Sequence, residues 1–307
     1  MSEPSSFLLP VGDGHRLHVE TSGNPAGEPV VLLHGGPGSG CSPRMRDLYD
    51  PVRHFLVAFD QRGAGRSEPS GETRANTTAQ LVADLERLRC HLGIARWRVT
   101  GGSWGATLAL AYAMTHRQAV SGLVLRSSFL PGHGNVEHFF AGLAGEAPVA
   151  WQALSDALPE AGGRGLLAAL ATRLSASDPA IAEAAALAWL AYEQGVASPG
   201  ASAATAMPDA PQRVALARKY RLQAHYLQAG CFLDEADFLA GCETLEGLPV
   251  VLIHGREDRI CPPANAERLH AHIPGSRLIW IDGCGHDPFH PAMVEAWRAA
   301  LASPPGP

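Results

Sequence analysis

The sequence predicts an α/β protein, a mostly parallel β-sheet with helices on both faces. Three observations carry that expectation. Short apolar runs of strand character alternate with amphipathic helical stretches, and strands covered on both faces read as near-continuous apolar runs. A single serine stands between glycines where one such run gives way to a helical one. Between about Leu130 and Leu245 the strand signal vanishes, as a helical insertion between two strands of one sheet would require.

The first strands are expected at "HRLHVETSG" (15–23), "PVVLLHGG" (29–36) and "HFLVAFDQRG" (54–63). A helix follows in "TAQLVADLERLRCHLG" (78–93), where Leu81, Leu85, Leu88 and Leu92 recur at helical spacing. Asn76 or Thr77 supplies its N-cap. "RWRVTGG" (96–102) is the next strand and runs into the helix "ATLALAYAMTH" (106–116), and "VSGLVLRSS" (120–128) is a strand again. Within the insertion, "GGRGLLAALATRL" (162–174) and "PAIAEAAALAWLAYEQG" (179–195) read as short helices. "VASPGASAATAMPDAP" (196–211) reads as a loop. Two further strands follow, "LPVVLIHGRED" (248–258) and "SRLIWIDGCGH" (276–286). The implied division is a core of residues 1–129 and 246–307 and a helical cap of residues 130–245. The cap is expected over the C-terminal edge of the strands, where open α/β sheets bind ligands. The terminal "SPPGP" is expected to fray.

A chain of 307 residues, 46% hydrophobic and 18% charged, suits one large domain or a core with an insertion. Its net charge of −6, without a cluster of Lys and Arg, argues against nucleic acid as a partner. No signal-like or membrane-spanning run opens the chain, so a cytoplasmic location is expected. Cys41, Cys90, Cys231, Cys242, Cys261 and Cys284 are scattered with no C-x-x-C pair. Reduced thiols are therefore expected, with neither a metal site nor a disulfide framework, and no cofactor is implied. Cys261 and Cys284 fall close to the candidate site residues and are expected to line the site.

The chemistry centres on "TGGSWGATLALAY" (100–112), where Gly101, Ser103 and Gly105 form G-x-S-x-G at a strand–helix corner. Such a corner lifts a serine hydroxyl clear of the sheet. The hydroxyl becomes a nucleophile once a base takes its proton, and the usual base is a histidine oriented by a carboxylate. The expected chain order is serine, acid, histidine. "VVLIHGREDRICPP" (250–263) carries Glu257 and Asp258, and "LIWIDGCGHDPFHP" (278–291) carries Asp282, His286, Asp287 and His290. Asp258 is assigned as the acid and His286 as the base, with Glu257 competing for the acid role. All lie just beyond strand ends on the edge that carries Ser103. The glycine-rich "HGGPGSG" (34–40) allows the Gly36 N–H to face the site, and with the Trp104 N–H it would bind a developing oxyanion. A phosphate loop is excluded, because no G-K-[ST] follows and the G-x-G-x-x-G spacing is absent.

"HGGPGSG" (34–40), "FDQRGAGRS" (59–67), "GGSWGATLALAYAMTH" (101–116), "GREDRICP" (255–262) and "GCGHD" (283–287) together resemble the proline iminopeptidases, α/β-hydrolases with a helical cap. The resemblance implies release of an N-terminal proline from a small peptide or aminoacyl amide, by a serine mechanism without metal. Ser103, Asp258 and His286 fall on the family's triad positions. It further implies acidic cap residues that recognise the free amine, since a cation in a partly dry pocket needs a carboxylate. "AWLAYEQG" (188–195) resembles the family's W-x-x-W-E, with Tyr192 for the second tryptophan and Glu193 retained. "RLQAHYL" (221–227) resembles R-I-E-x-H-Y-F, but Gln223 stands where a glutamate is expected and Leu227 where an aromatic is expected. Gln223 can accept a hydrogen bond from an amine but brings no charge, a loss of about 1–3 kcal/mol of recognition. Phe129 and Phe139 are candidates for lining a proline ring. Two alternatives stay open: a related hydrolase of small amides or esters in specialised metabolism, with the cap retuned by Gln223 and Leu227, and a non-catalytic small-molecule receptor. The receptor reading would be favoured by loss of a triad member, and none is lost.

Overall fold

The structure, a computed structural model, describes residues 2–163, 165–197 and 207–303. Its strands are β1 (Ser2–Gly12), β2 (His15–Gly23), β3 (Glu28–Leu33), β4 (His54–Phe59), β5 (Trp97–Gly102), β6 (Val120–Arg126), β7 (Val250–Gly255) and β8 (Arg277–Ile281). They form one sheet in the order β1-β2-β4-β3-β5-β6-β7-β8. The β1–β2 and β2–β4 pairs are antiparallel and all the others parallel. The order of the parallel strands reverses around β3 and β5, so the loops leaving these two strands diverge and open a crevice at their C-terminal ends.

Seven of the eight strands were expected from sequence; β1 was not. Its sequence carries Pro4 and Pro10, which argue against a central strand, but β1 pairs only with β2 and an edge strand tolerates proline. Leu9 and Val11 on one face are buried, whereas Leu8 beside them is exposed.

The helices are α1 (Pro43–Arg46), α2 (Thr78–His91), α3 (Trp104–Thr115), α4 (His133–Phe140), α5 (Pro148–Ala157), α6 (Leu166–Leu174), α7 (Pro179–Ala197), α8 (Ala210–Gln228), α9 (Glu235–Cys242), α10 (Pro263–His272) and α11 (Pro291–Ala302). Thr77, rather than Asn76, caps α2: its N–H donates to Gln80 Oε1 at 2.9 Å. Asn76 instead donates its amide to the carbonyls of Arg62 and Glu72.

Helices α4 to α9 fill the interval between β6 and β7. Helix α7 takes in the whole stretch read as helical, 179–195, and runs two residues further, its alanines favouring helix throughout. Ala182, Ala185, Ala186, Trp189, Tyr192 and Val196 form its buried spine. The helix takes in Val196 and Ala197, and α8 starts at Ala210 behind the N-cap Asp209, which accepts the Gln212 N–H at 2.9 Å. The loop expected over 196–211 is thus shorter at both ends; its residues 198–206, and 304–307 of "SPPGP", lie outside the described residues.

Adjacent residues of β3 face opposite ways, as a pleated strand requires. Val31 and Leu33 join a cluster that runs from Val99 and Leu125 of the sheet into Leu143, Leu170, Trp189 and Tyr220 of the inserted helices. Val30 and Leu32 join a smaller cluster with Met293 and Trp297 of α11. Tyr226 of α8 is tied back by a hydroxyl bond of 2.7 Å to Asn76 Oδ1. Among the described residues no helix is long and apolar enough to cross a membrane.

Candidate active site

Ser103 occupies the one-residue corner between β5 and α3, with φ +56° and ψ −127°, a conformation that a residue with a side chain adopts only under constraint. The flanking glycines make the corner possible. A Cβ on Gly101 would lie 2.5 Å from the Gly105 carbonyl oxygen, and one on Gly105 would lie 2.3 Å from that of Leu33. The Ser103 N–H donates to the Arg126 carbonyl at 3.1 Å, fixing the corner to β6.

The loops after β7 and β8 bring Asp258 and His286 together, with His286 Nδ1 2.7 Å from Asp258 Oδ2. Asp258 Oδ1 accepts the N–H groups of Ile260 at 3.0 Å and Cys261 at 2.9 Å. Burial alone would raise the Asp258 carboxyl, but the imidazoles of His286 and His254 and the Cys261 N–H outweigh it and hold it below the ordinary carboxylate range. His254 lies 3.7 Å from Asp258 Oδ2 and donates from Nε2 to the Cys261 carbonyl at 2.9 Å. Burial depresses its pKa, against the opposing pull of the Asp258 carboxylate.

The neighbouring acids are placed otherwise. Glu257 is exposed and lines, together with Asp258, His138, Glu146 and Arg259, a cavity that Ser103 and His286 do not line. Asp282 pairs with Arg256 at 2.8 Å, and Asp287 accepts the Phe289 N–H at 2.9 Å. The six cysteines are free. Cys261 lies 3.9 Å from Ser103 Oγ. Cys284 was expected at the site but is buried, with its thiol donating to the Gly285 carbonyl.

Ser103 and His286 share a cavity of about 280 Å³ with Gly36, Arg126, Glu193, Lys219 and Gln223. Among the described residues no hydrogen bond joins the Ser103 hydroxyl to His286, and such a contact with a base is commonly loose before substrate enters. A smaller hollow of about 40 Å³ adjoins it, lined by Phe129, Val136, Phe139, Phe140, Leu227 and Cys261. Gly36, Ser103, Glu193, Gln223 and Ile260 line both. Trp104 opens α3, so its N–H lies in the first turn and has no partner within the helix. Its indole Nε1 donates to Gln61 Oε1 at 2.9 Å, and Gln61 Nε2 donates to the His34 carbonyl at 2.9 Å. That chain ties the serine corner to the loop carrying Gly36.

Glu193 reaches the cavity from α7 and accepts from the Tyr220 hydroxyl at 2.8 Å and Gln223 Nε2 at 3.0 Å. Lys219 Nζ lies 3.5 Å from the same carboxylate. Because Gln223 spends its amide on Glu193, its buried Oε1 is left without a hydrogen-bond partner. The Tyr192 hydroxyl donates to the Phe139 carbonyl, and the two rings stand 5.0 Å apart at 67°. Tyr192 therefore positions one wall of the hollow.

Arg126, Lys219 and Tyr220 were not anticipated. Arg126 is buried, with no hydrogen-bond partner for Nε, and burial lowers its pKa. It ends β6 on the edge that bears Ser103, and a charge closing the apolar run "GLVLR" was the available signal. Lys219 and Tyr220 stand four and three residues before Gln223 on α8, a spacing that puts them on its face of the helix. Among the described residues no group of three or more His, Cys, Asp or Glu side chains could hold a metal ion.

Residues 28–292 match the family described as the alpha/beta hydrolase fold. A protein named proline iminopeptidase from Xylella fastidiosa is 42% identical over 298 residues, covering 96% of this chain and 95% of that one. One of the same name from Arabidopsis thaliana is 40% identical over 294 residues, covering 94% of this chain and 77% of that one. Among solved structures, a proline iminopeptidase-related protein from Thermus thermophilus aligns with a TM-score of 0.61 at 25% identity, over 98% of each chain.

Proposed function

The chain belongs to the proline iminopeptidase family of α/β-hydrolases, and from that premise we propose that it releases N-terminal proline, or a residue of similar size, from small peptides and aminoacyl amides. Ser103, His286 and Asp258 are proposed as its triad. Ser103 Oγ attacks the scissile carbonyl while His286 Nε2 takes its proton. Asp258, ionised at neutral pH, holds the Nδ1–H tautomer through the 2.7 Å contact. The N–H groups of Gly36 and Trp104 receive the developing oxyanion. His286 then protonates the leaving amine, and water repeats the sequence on the acyl-enzyme.

The observation that carries the substrate reading is the Glu193–Gln223 pair beside Ser103. The carboxylate offers the charge that an ammonium group needs, and the orphan Gln223 Oε1 offers a second acceptor. An acceptor left unpaired in a buried place is costly until a donor arrives. The adjoining hollow supports a small residue. Its volume of about 40 Å³ and its lining of Phe129, Phe139, Phe140 and Leu227 suit a small apolar group. A cap of residues 130–245 over a core of residues 1–129 and 246–307 belongs to the same reading, as does a cytoplasmic place of work. The second reading, a hydrolase of small neutral amides or esters, is favoured by Lys219, whose ammonium partly neutralises Glu193.

Steady-state kinetics on a prolyl arylamide and a small neutral ester separate the two. Glu193→Gln is expected to raise KM for the arylamide about tenfold, equivalent to about 1.4 kcal/mol, and to change kcat on the ester little. Gln223→Glu should shift preference toward the prolyl substrate. If neither substitution moves the proline-to-ester ratio, amine recognition by this pair is wrong.

A further inference from the structure

We propose that Leu227 is a specificity-determining partition: it closes the acyl hollow against a larger groove behind it, and that groove takes the end of a longer aliphatic or aromatic N-terminal side chain once the partition is opened. The inference rests on the aminopeptidase reading above and names what limits the substrate's size.

The hollow beside Ser103 does not end in the body of the protein. Val136, Phe140 and Leu227 line it, and the same three side chains line a groove of about 690 Å³ among α4, α6 and α8. A side chain that faces both spaces makes a wall one residue thick. Leu167 and Ala168 line the groove further on, together with the exposed His133, Glu137 and Gln228. An apolar chain passing through the wall would therefore meet apolar surface first and water last, the order that favours its burial.

The three wall residues are not equally fixed. The Phe140 ring stands edge-on to Trp189 at 5.3 Å and to Phe139 at 5.0 Å, and lies nearly parallel to Tyr192 at 6.4 Å. Val136 is β-branched on a helix and nearly confined to one rotamer. Leu227 is branched one carbon further out and lies in the last turn of α8, directly before Gln228 and the C-cap Ala229. Of the three, it is held neither by ring-to-ring contacts nor by β-branching, and shortening it opens more space than shortening Val136.

The test measures kcat/KM of the full-length enzyme on prolyl, leucyl and phenylalanyl arylamides, with circular dichroism melts to establish that each variant is folded. Wild-type enzyme is expected to favour proline. Leu227→Ala should lower the proline-to-phenylalanine ratio at least tenfold, mainly by raising kcat/KM on the phenylalanyl substrate. Val136→Ala, which thins the same wall from α4, should move the ratio in the same direction, and it decides the matter if Leu227→Ala does not fold. Folded variants with an unchanged ratio overturn the partition. If the wild-type enzyme cleaves no aminoacyl arylamide, the aminopeptidase reading falls instead. The partition is then judged on p-nitrophenyl esters of increasing acyl length, where Leu227→Ala should move the optimum to longer chains, and an unmoved optimum overturns it.

Discussion

Asp258 and Glu257 are sequence neighbours of equal charge, yet only Asp258 meets an imidazole. Asp258→Asn would keep the shape of the side chain but favour the wrong His286 tautomer, and kcat is expected to fall by about 10⁴. Glu257→Gln should stay within about twofold of wild type, its loss being that of a surface charge; the reverse result would move the acid to Glu257. The positions of Ser103, Asp258 and His286 were legible in sequence because each sits where an apolar strand breaks into glycines or charge. Lys219 and Tyr220 were not, because their place at the cavity depends on which face α8 turns to α7. Gln223 was visible only as a departure from a pattern; that its amide would be consumed by Glu193, leaving its buried oxygen without a partner, required the packed structure.

Between elements, Glu86 of α2 is the clearest electrostatic clasp. Arg89 holds it first, at 2.5 Å, and the Tyr112 hydroxyl of α3 donates to it at 2.8 Å. Together they lower its carboxyl from an ordinary 4.5 to about 2. A carboxyl depressed on folding stabilises the native state above its unfolded pKa and loses that contribution as pH falls toward the folded value. The window is thus from about 4.5 down to about 2. The side chain is partly exposed, so solvent screening keeps the effect below about 1 kcal/mol. In thermal melts Glu86→Gln should lower Tm at pH 7, and the gap to wild type should close across that window. A gap that stays constant with pH would show that the clasp acts through packing alone. At this scale the parallel strands and α2 were readable from periodicity, whereas β1 was hidden by its prolines. The end of α7 was hidden too, since an alanine-rich stretch gives little amphipathic contrast by which to place it.

For the molecule as a whole, one apolar cluster passes without interruption from the sheet into the inserted helices. The proposed cap and core are therefore expected to unfold together. Calorimetry should show a single transition with matching calorimetric and van't Hoff enthalpies; two resolved transitions would show that the cap is an independent cooperative unit. The interruption of the sheet was legible as a loss of strand signal, but the continuity of the core across it was not, because alanine and leucine helices look alike whether they pack on a sheet or on one another. The pairing of β6 with β7, Leu123 beside Val250, has a further consequence, one of timing. During synthesis the chain delivers Ser103 first, then the whole insertion, and only afterwards the two strands whose loops carry Asp258 and His286. Until β7 and β8 have joined the edge of the sheet, the nascent chain holds the proposed nucleophile without its proposed base. On the proposed triad, hydrolytic competence is not acquired gradually along the chain; it arrives in one step, with the last strand.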